Sequence, residues 1–243
     1  MFKKLYEKNE LYFALLWIGI YVLIMNIALQ VCDGFDNLAE KTAGQVFVPV
    51  VCILVLAAAS TLWIVKNGLT EKYGFCRFKG KASQFLWFVP LILISCVNLL
   101  NGLTVSAPIV VMLLMMVNMS VAGYVEEIIF RGFLFRAMEK DNLKAAIIVS
   151  AVTFGAGHIV NLANTADTFG VFMQVFYAIA IGFMFTVIAY KGGSLWPCIL
   201  SHMFVNGSSI FAVPSSSSVE LATSIGIIVV SGAYAYWLWI NQE

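Results

Sequence analysis

Eight apolar runs, each long enough to cross a lipid bilayer, leave this chain almost no choice of solvent. They lie at Leu11–Cys32, Gln45–Val65, Phe85–Leu103, Pro108–Phe135, Leu143–Leu162, Phe169–Tyr190, Ser194–Val213 and Leu221–Ile240. A helix needs about 20 residues to span a hydrocarbon core about 30 Å thick. Water is absent there, so every backbone N–H and C=O must be satisfied within the chain, and helices are the expected element. Composition agrees: 61% of the 243 residues are hydrophobic and 11% charged, against roughly 45–50% apolar and about 25% charged in soluble domains. The expectation is an all-α integral membrane protein, a bundle of about eight transmembrane helices forming one domain over residues 1–243. No repeat, low-complexity tract or soluble module interrupts it. The longest connection, "KNGLTEKYGFCRFKGKASQ", is too small to be a domain. A net charge of +1 gives no reason to expect a nucleic-acid partner. The first run is too long for the apolar region of a cleaved signal peptide, and no A-x-A-like site follows it.

Lys and Arg fix the expected orientation, because cytoplasmic loops carry the excess of positive charge. The N-terminal tail holds Lys3, Lys4 and Lys8; the loop after the second run holds Lys66, Lys72, Arg77, Lys79 and Lys81. Arg136, Lys140 and Lys144 follow the fourth run, and Lys191 the sixth. The other side holds Lys41 alone, while Arg131 lies inside a run. Both termini are therefore expected in the cytoplasm, which requires an even number of spans. The five cysteines are scattered without a C-x-x-C pair and read as small apolar fillers. The methionines Met112, Met115, Met116 and Met119 read as packing or lipid-facing residues.

Few ionisable groups remain at membrane depth: Glu126, Glu127 and Arg131 in the fourth run, His158 in the fifth and His202 in the seventh. The chain's two histidines both fall in this set. An ionisable group at the bilayer centre costs roughly 2.5–3.5 kcal/mol on insertion scales and is functional by default. Glu127 and Arg131 are spaced i, i+4 with the acid first, the better order for an ion pair. Glu126 lies about 140° round the helix from Arg131 and is expected to lack that partner. Two adjacent carboxylates then meet different environments, one held ionised and the other desolvated with a raised pKa, the division that separates a structural carboxylate from a general acid or base. Asn161 follows His158 by three residues and Asn206 follows His202 by four, so each amide shares a helix face with its histidine.

Depth along the helices supports convergence. At 1.5 Å per residue, Glu126 is roughly 15 Å from Arg136, His202 roughly 12 Å from Ser194, and His158 roughly 22 Å from Leu143. Gly155 and Gly157 flank the approach to His158 and permit close helix packing. Ser194 reads as an N-cap and Pro197 as a first-turn residue, which fixes the helix bearing His202 and Asn206.

The motifs Glu126-Glu127-Ile128-Ile129-Phe130-Arg131, Phe154-Gly155-Ala156-Gly157-His158 and His202-Met203-Phe204-Val205-Asn206 resemble those of the CPBP intramembrane proteases, the CAAX-protease and bacteriocin-processing (Abi) family. The likeness covers about Tyr124 to Asn206, and the "G-S-L-W-P" lead-in is also similar. It implies a membrane-embedded endopeptidase with a catalytic core over about 108–212. Glu126 and His158 would activate the attacking water, His202 and Asn206 would stabilise the oxyanion, and Glu127 with Arg131 would organise the site. Chemistry agrees: peptide hydrolysis needs a tuned base and donors aimed at the oxyanion, each worth roughly 3–4 kcal/mol. Asn161 takes a supporting role. Metal use stays open. Glu126, His158 and His202 are similar in type to a His₂Glu zinc set, yet no H-E-x-x-H occurs, and a metal-free glutamate mechanism is also proposed for the family. The expected partner is a membrane-associated peptide or protein, presented at the cytoplasmic leaflet of a bacterial plasma membrane. Two rival readings are a transporter or channel with a buried proton relay, and a non-catalytic bacteriocin-immunity protein on the same fold.

Overall fold

The structure is a computed structural model that describes residues 2–32, 34, 37–163 and 165–241. Among the described residues the regular secondary structure is all helix, joined by turns and loops, apart from one isolated bridge, Leu103 with Ala212. A short amphipathic start, α1 (Phe2–Lys8), leads into α2 (Glu10–Val31), capped by the Asn9 side chain accepting from the Tyr12 amide. Next come α3 (Ala43–Lys66), the short α4 (Val89–Ser95) and α5 (Ile109–Glu127). The last runs without a break through a π-helical stretch, Ile128–Leu134, into α6 (Phe135–Met138). After α7 (Leu143–Gly157) a 3₁₀ turn covers His158–Ala163, and α8 (Thr168–Gly192), α9 (Trp196–Ser209) and α10 (Ser217–Asn241) complete the bundle.

Six helical stretches among the described residues are long and apolar enough to cross a membrane: Glu10–Val31, Ala43–Lys66, Ile109–Met138, Leu143–Ala163, Thr168–Gly192 and Ser217–Asn241. The third and seventh expected spans come out shorter. Phe85–Leu103 breaks into a 3₁₀ stretch (Ala82–Phe88), α4 and a further 3₁₀ turn (Val97–Leu99), because Leu86, Trp87 and Phe88 adopt positive φ. Left-handed backbone at three successive non-glycine residues interrupts the helical hydrogen-bond ladder. The seventh, α9, has 14 residues, about 21 Å of helix against the roughly 30 Å of a hydrocarbon core. Apolar side chains such as Leu23, Val55, Val229 and Tyr236 stand exposed around the bundle, as expected where lipid is the solvent.

Loop contacts sort the helix ends onto two faces. On one, Lys72 reaches Tyr6 and Glu10, the Leu195 amide donates to the Gly74 carbonyl, and the Lys79 amide donates to the Gly192 carbonyl. This face gathers the basic loops. On the other, the Thr104 amide donates to the Phe211 carbonyl, Val213 to Gly102, and the Asp167 and Glu220 carboxylates both border Gly170. The basic end is packed with aromatics: Phe133 lies 5.1–5.7 Å from the rings of Phe13, Trp17, Trp63 and Tyr73. Edge-to-face pairs of this kind contribute about 0.5–1.5 kcal/mol each beyond their buried area. None of the five cysteines forms a disulfide.

Candidate active site

The expected ion pair is present and wholly buried. Arg131 Nη1 donates to Glu127 Oε1 at 2.8 Å, with both side chains at 0% exposure. Its geometry differs from a plain helical pair, since Arg131 sits within the π-helical stretch. A π-bulge turns successive side chains to new directions and is common at functional sites. Ser150 on α7 donates its hydroxyl to the Phe130 carbonyl inside that stretch, at 2.9 Å. Nε and Nη2 of Arg131 have no hydrogen-bond acceptor. The guanidinium lies instead over two rings, 4.1 Å from the centroid of Phe154 and 5.5 Å from that of Phe185, a desolvated cation–π arrangement worth about 2 kcal/mol.

Phe154 is thus more than a spacer one turn before a histidine. Its other contacts are edge-on to His158, at 5.1 Å, and to His202, at 5.5 Å. One ring ties the arginine and both histidines into a single assembly.

His202 joins the two glutamates. Its Nδ1 donates to Glu127 Oε1 at 2.8 Å, and its Nε2 lies 3.3 Å from Glu126 Oε2. The backbone makes this possible at Gly123, where a Cβ would stand 3.1 Å from the imidazole. Helix α9 therefore approaches α5 closely only because that position is glycine. Nothing in the spacing of the motifs pointed to Gly123, which lies outside them.

Glu126 lacks the arginine, as its angular position requires, but it has a partner. Tyr21 on α2 donates its hydroxyl to Glu126 Oε1 at 2.5 Å. Tyr21 lies far upstream in an unremarkable apolar run, and only helix packing brings it to the site. The remaining oxygen, Oε2, makes no hydrogen bond.

His158 begins the 3₁₀ turn where α7 ends. Its Nδ1 is 3.1 Å from the Phe154 carbonyl oxygen. A carbonyl only accepts, so Nδ1 carries the proton and Nε2 is left to exchange one. His158 is close enough to interact electrostatically with Glu126 and His202. In a 3₁₀ turn residues i and i+3 eclipse, which keeps Asn161 on the histidine's face despite the end of the α-helix. The Asn161 amide donates to Gln174 Oε1 at 3.0 Å.

Glu126, His158, Asn161 and Asn206 line one cavity of about 370 Å³, together with Tyr21 and Asn118. That volume falls at the lower end of the range for small-ligand sites, about 300–1,000 Å³. Its outer walls are Asn26, Leu29, Thr165, Asp167 and Glu220, all from the half of the bundle away from the basic loops. Glu127, Arg131 and His202 lie behind the cavity wall as buried support.

Local expectations need three adjustments. Gly155 does admit a neighbour, since a Cβ there would stand 2.7 Å from the Ile179 amide nitrogen, but Gly157 faces open space and lines the cavity. Ser194 is not the N-cap of α9; that position is Leu195, and Ser194 Oγ accepts from the Trp196 amide while donating to the Cys76 carbonyl. Pro197 occupies the first turn as anticipated. Met112 and Met115 are buried packing residues, and Met119 reaches the cavity.

No group of three His, Cys, Asp or Glu side chains gathers in a metal-holding cluster among the described residues.

A buried Glu–Glu–Arg cluster, two histidines and a polar cavity come together inside an apolar helical bundle. Residues 106–208 match the family model described as "Type II CAAX prenyl endopeptidase Rce1-like", in agreement with the family that the motifs resemble, and the six long apolar helices mark an integral membrane protein. The match spans every residue of the three motifs. No curated protein matches the chain.

Proposed function

We propose that the protein is an intramembrane endopeptidase that hydrolyses a peptide bond in a membrane-associated substrate with a water activated by Glu126 and His158. The observation that carries this reading is the single polar cavity lined by both Glu126 and His158, with His202 behind its wall, hydrogen-bonded to Glu127 and 3.3 Å from Glu126. A purely structural charge cluster has no use for a free carboxylate oxygen and a free imidazole nitrogen on one cavity.

Water held between Glu126 Oε2 and His158 Nε2 loses a proton to Glu126 and attacks the carbonyl carbon. His202 and Asn206 donate to the resulting oxyanion. Glu126 then passes its proton to the departing amine as the C–N bond breaks, and the products are a carboxylic acid and an amine. Glu127, paired with Arg131, fixes the imidazole of His202 and supports its positive charge in the oxyanion-bound state. Tyr21 fixes the orientation of the base. No step is routed through a metal, and a chelator added to the cleavage assay tests that choice.

Positive charge sets the topology: the basic face is cytoplasmic, both termini lie there, and the broken segment 82–103 and α9 complete eight passages between the faces. A bacterial plasma membrane is the proposed setting. The cavity then opens away from the cytoplasm, so the substrate enters from the outer side rather than from the cytoplasmic leaflet.

The test is cleavage of membrane-associated peptides by the reconstituted protein. Glu126→Gln and His158→Ala are each expected to lower the rate by about 10²–10⁴-fold, the usual contribution of a general base. Cleavage that survives both substitutions overturns the mechanism. Proton or solute flux through sealed vesicles without cleavage favours the transporter reading instead.

A further inference from the structure

The cavity carries a charge bias that the proteolytic chemistry does not require. Three carboxylates line it, Glu126, Asp167 and Glu220, and no Lys or Arg does. Only Glu126 has a role in the proposed reaction. Asp167 caps α8, its Oδ1 accepting from the Gly170 amide, and Glu220 lies in the first turn of α10. The two carboxylates crowd the same glycine: a Cβ on Gly170 would stand 2.1 Å from Asp167 Oδ2 and 2.9 Å from Glu220 Oε1. Like charges in such proximity are unfavourable unless a cation joins them.

No cation of the protein fills that place. Among the lysines and arginines, Lys41 alone belongs to this face, and it is 7% exposed with its ammonium donating to the Cys32 carbonyl. The cation of the deep site, Arg131, is fully buried against Glu127.

An independent feature points the same way. Asn118 on α5 is 1% exposed, lines the cavity, and its Oδ1 has no hydrogen-bond partner. Glu126 Oε2 is the other unsatisfied oxygen on the wall. A buried acceptor left without a donor costs about 1–3 kcal/mol, more when charged. The fully buried atoms of the cavity wall left without a hydrogen bond are thus both oxygens, Asn118 Oδ1 and Glu126 Oε2, the second with His202 Nε2 3.3 Å away.

We propose that this cavity binds a cationic side chain, lysine or arginine, of a peptide entering from the face opposite the basic loops, with Asp167 and Glu220 receiving the charge and Asn118 a donor group nearer the base. The inference rests on the endopeptidase reading for its ligand class but not for its test. A peptide whose free C-terminal carboxylate entered this cavity would meet three carboxylates and no counter-charge, and is disfavoured. The volume of about 370 Å³ admits a short segment of chain rather than a folded domain.

Binding separates the two readings. The purified full-length protein in zwitterionic nanodiscs is titrated with three fluorescent probes, the N-acetylated, C-amidated peptides Leu-Leu-Lys-Leu-Leu, its norleucine counterpart and its glutamate counterpart, with empty nanodiscs subtracted. The lysine probe is expected to bind about tenfold more tightly than the norleucine probe, as follows from one hydrogen-bonded charge contact of about 1.5 kcal/mol. The glutamate probe is expected to bind weakest. In Asp167→Asn/Glu220→Gln the lysine preference should fall below about threefold, while the charge-conserving Asp167→Glu keeps it. A matching unfolding midpoint for wild type and variants removes misfolding as the cause. Equal binding of the lysine and norleucine probes, or a preference that survives the double substitution, overturns the proposal. Tight binding of the lysine probe with no cleavage of any peptide overturns the endopeptidase reading and leaves this one standing.

Discussion

The chain places an acid and a base four residues apart on one helix twice among its ion pairs, and the two pairs differ in almost every consequence. Lys3 and Glu7 approach to 4.0 Å at 71% and 59% exposure. Glu127 and Arg131 meet at 2.8 Å with no exposure at all. Water screens the first pair, and many such contacts contribute nothing measurable. The second pair was taken out of water at a cost of several kcal/mol per ion, which is recovered only through good geometry and further partners. Those partners are His202 on the carboxylate and the rings of Phe154 and Phe185 on the guanidinium. Spacing makes a pair; burial turns it into a scaffold for chemistry.

Removing one member of the buried pair should have the largest effect. Arg131→Ala leaves Glu127 charged and uncompensated, and is expected to cost about 3–5 kcal/mol in unfolding free energy in detergent. Replacing both, Glu127→Leu with Arg131→Met, sharpens the point. Stability should return to within about 1–2 kcal/mol of wild type, while cleavage stays lost because His202 has no acceptor to orient it. Recovery of cleavage in that double variant would show that the pair is structural only.

Glycines offer a second contrast within one motif. Gly155→Ala forces a Cβ against the backbone of α8, at 2.7 Å from the Ile179 nitrogen, and is expected to cost about 1–3 kcal/mol. Gly157→Ala meets nothing within 4 Å and should leave the unfolding midpoint unchanged. Equal destabilisation by the two would contradict the packing described for α7 and α8.

Tyr21→Phe keeps the ring and deletes one hydrogen bond to Glu126. A bond to a charged group contributes about 1.5–3 kcal/mol, so the cleavage rate should drop at least about tenfold with little change in the unfolding midpoint. A stability loss without a rate effect would demote Tyr21 from positioning the base to packing. Smallest of all, Lys3→Ala should alter neither stability nor rate, as measured by the same two assays.

The membrane environment, the convergence of Glu126, His158 and Asn206 and the Glu127–Arg131 pairing were legible in the sequence. They follow from quantities local to the chain: apolar run length, the high cost of ionisable groups in hydrocarbon, and helical angle. Asn161 stays beside His158 on the cavity despite the change of helix type, whereas Asn206 lines the cavity and His202 lies behind its wall.

What the sequence could not settle depends on which helices touch. Tyr21 and Asn118 are ordinary residues in apolar runs until α2 and α5 border the same cavity. Gly123 matters only because the His202 ring presses on it. The break at Leu86–Phe88 and the short α9 escaped a hydropathy reading, since apolar character reports the solvent around a segment and not whether its backbone stays helical. The direction in which the cavity opens was likewise invisible. The motif residues sit at unequal depths in their runs, and run position alone does not say which surface a cavity between them reaches. The walls contributed by α2, α8 and α10 give the cavity its acidic mouth on the face away from the basic loops. Local physics named the ionisable groups of the candidate site; only packing between distant helices decided which of them share a cavity and towards which end of the bundle it opens.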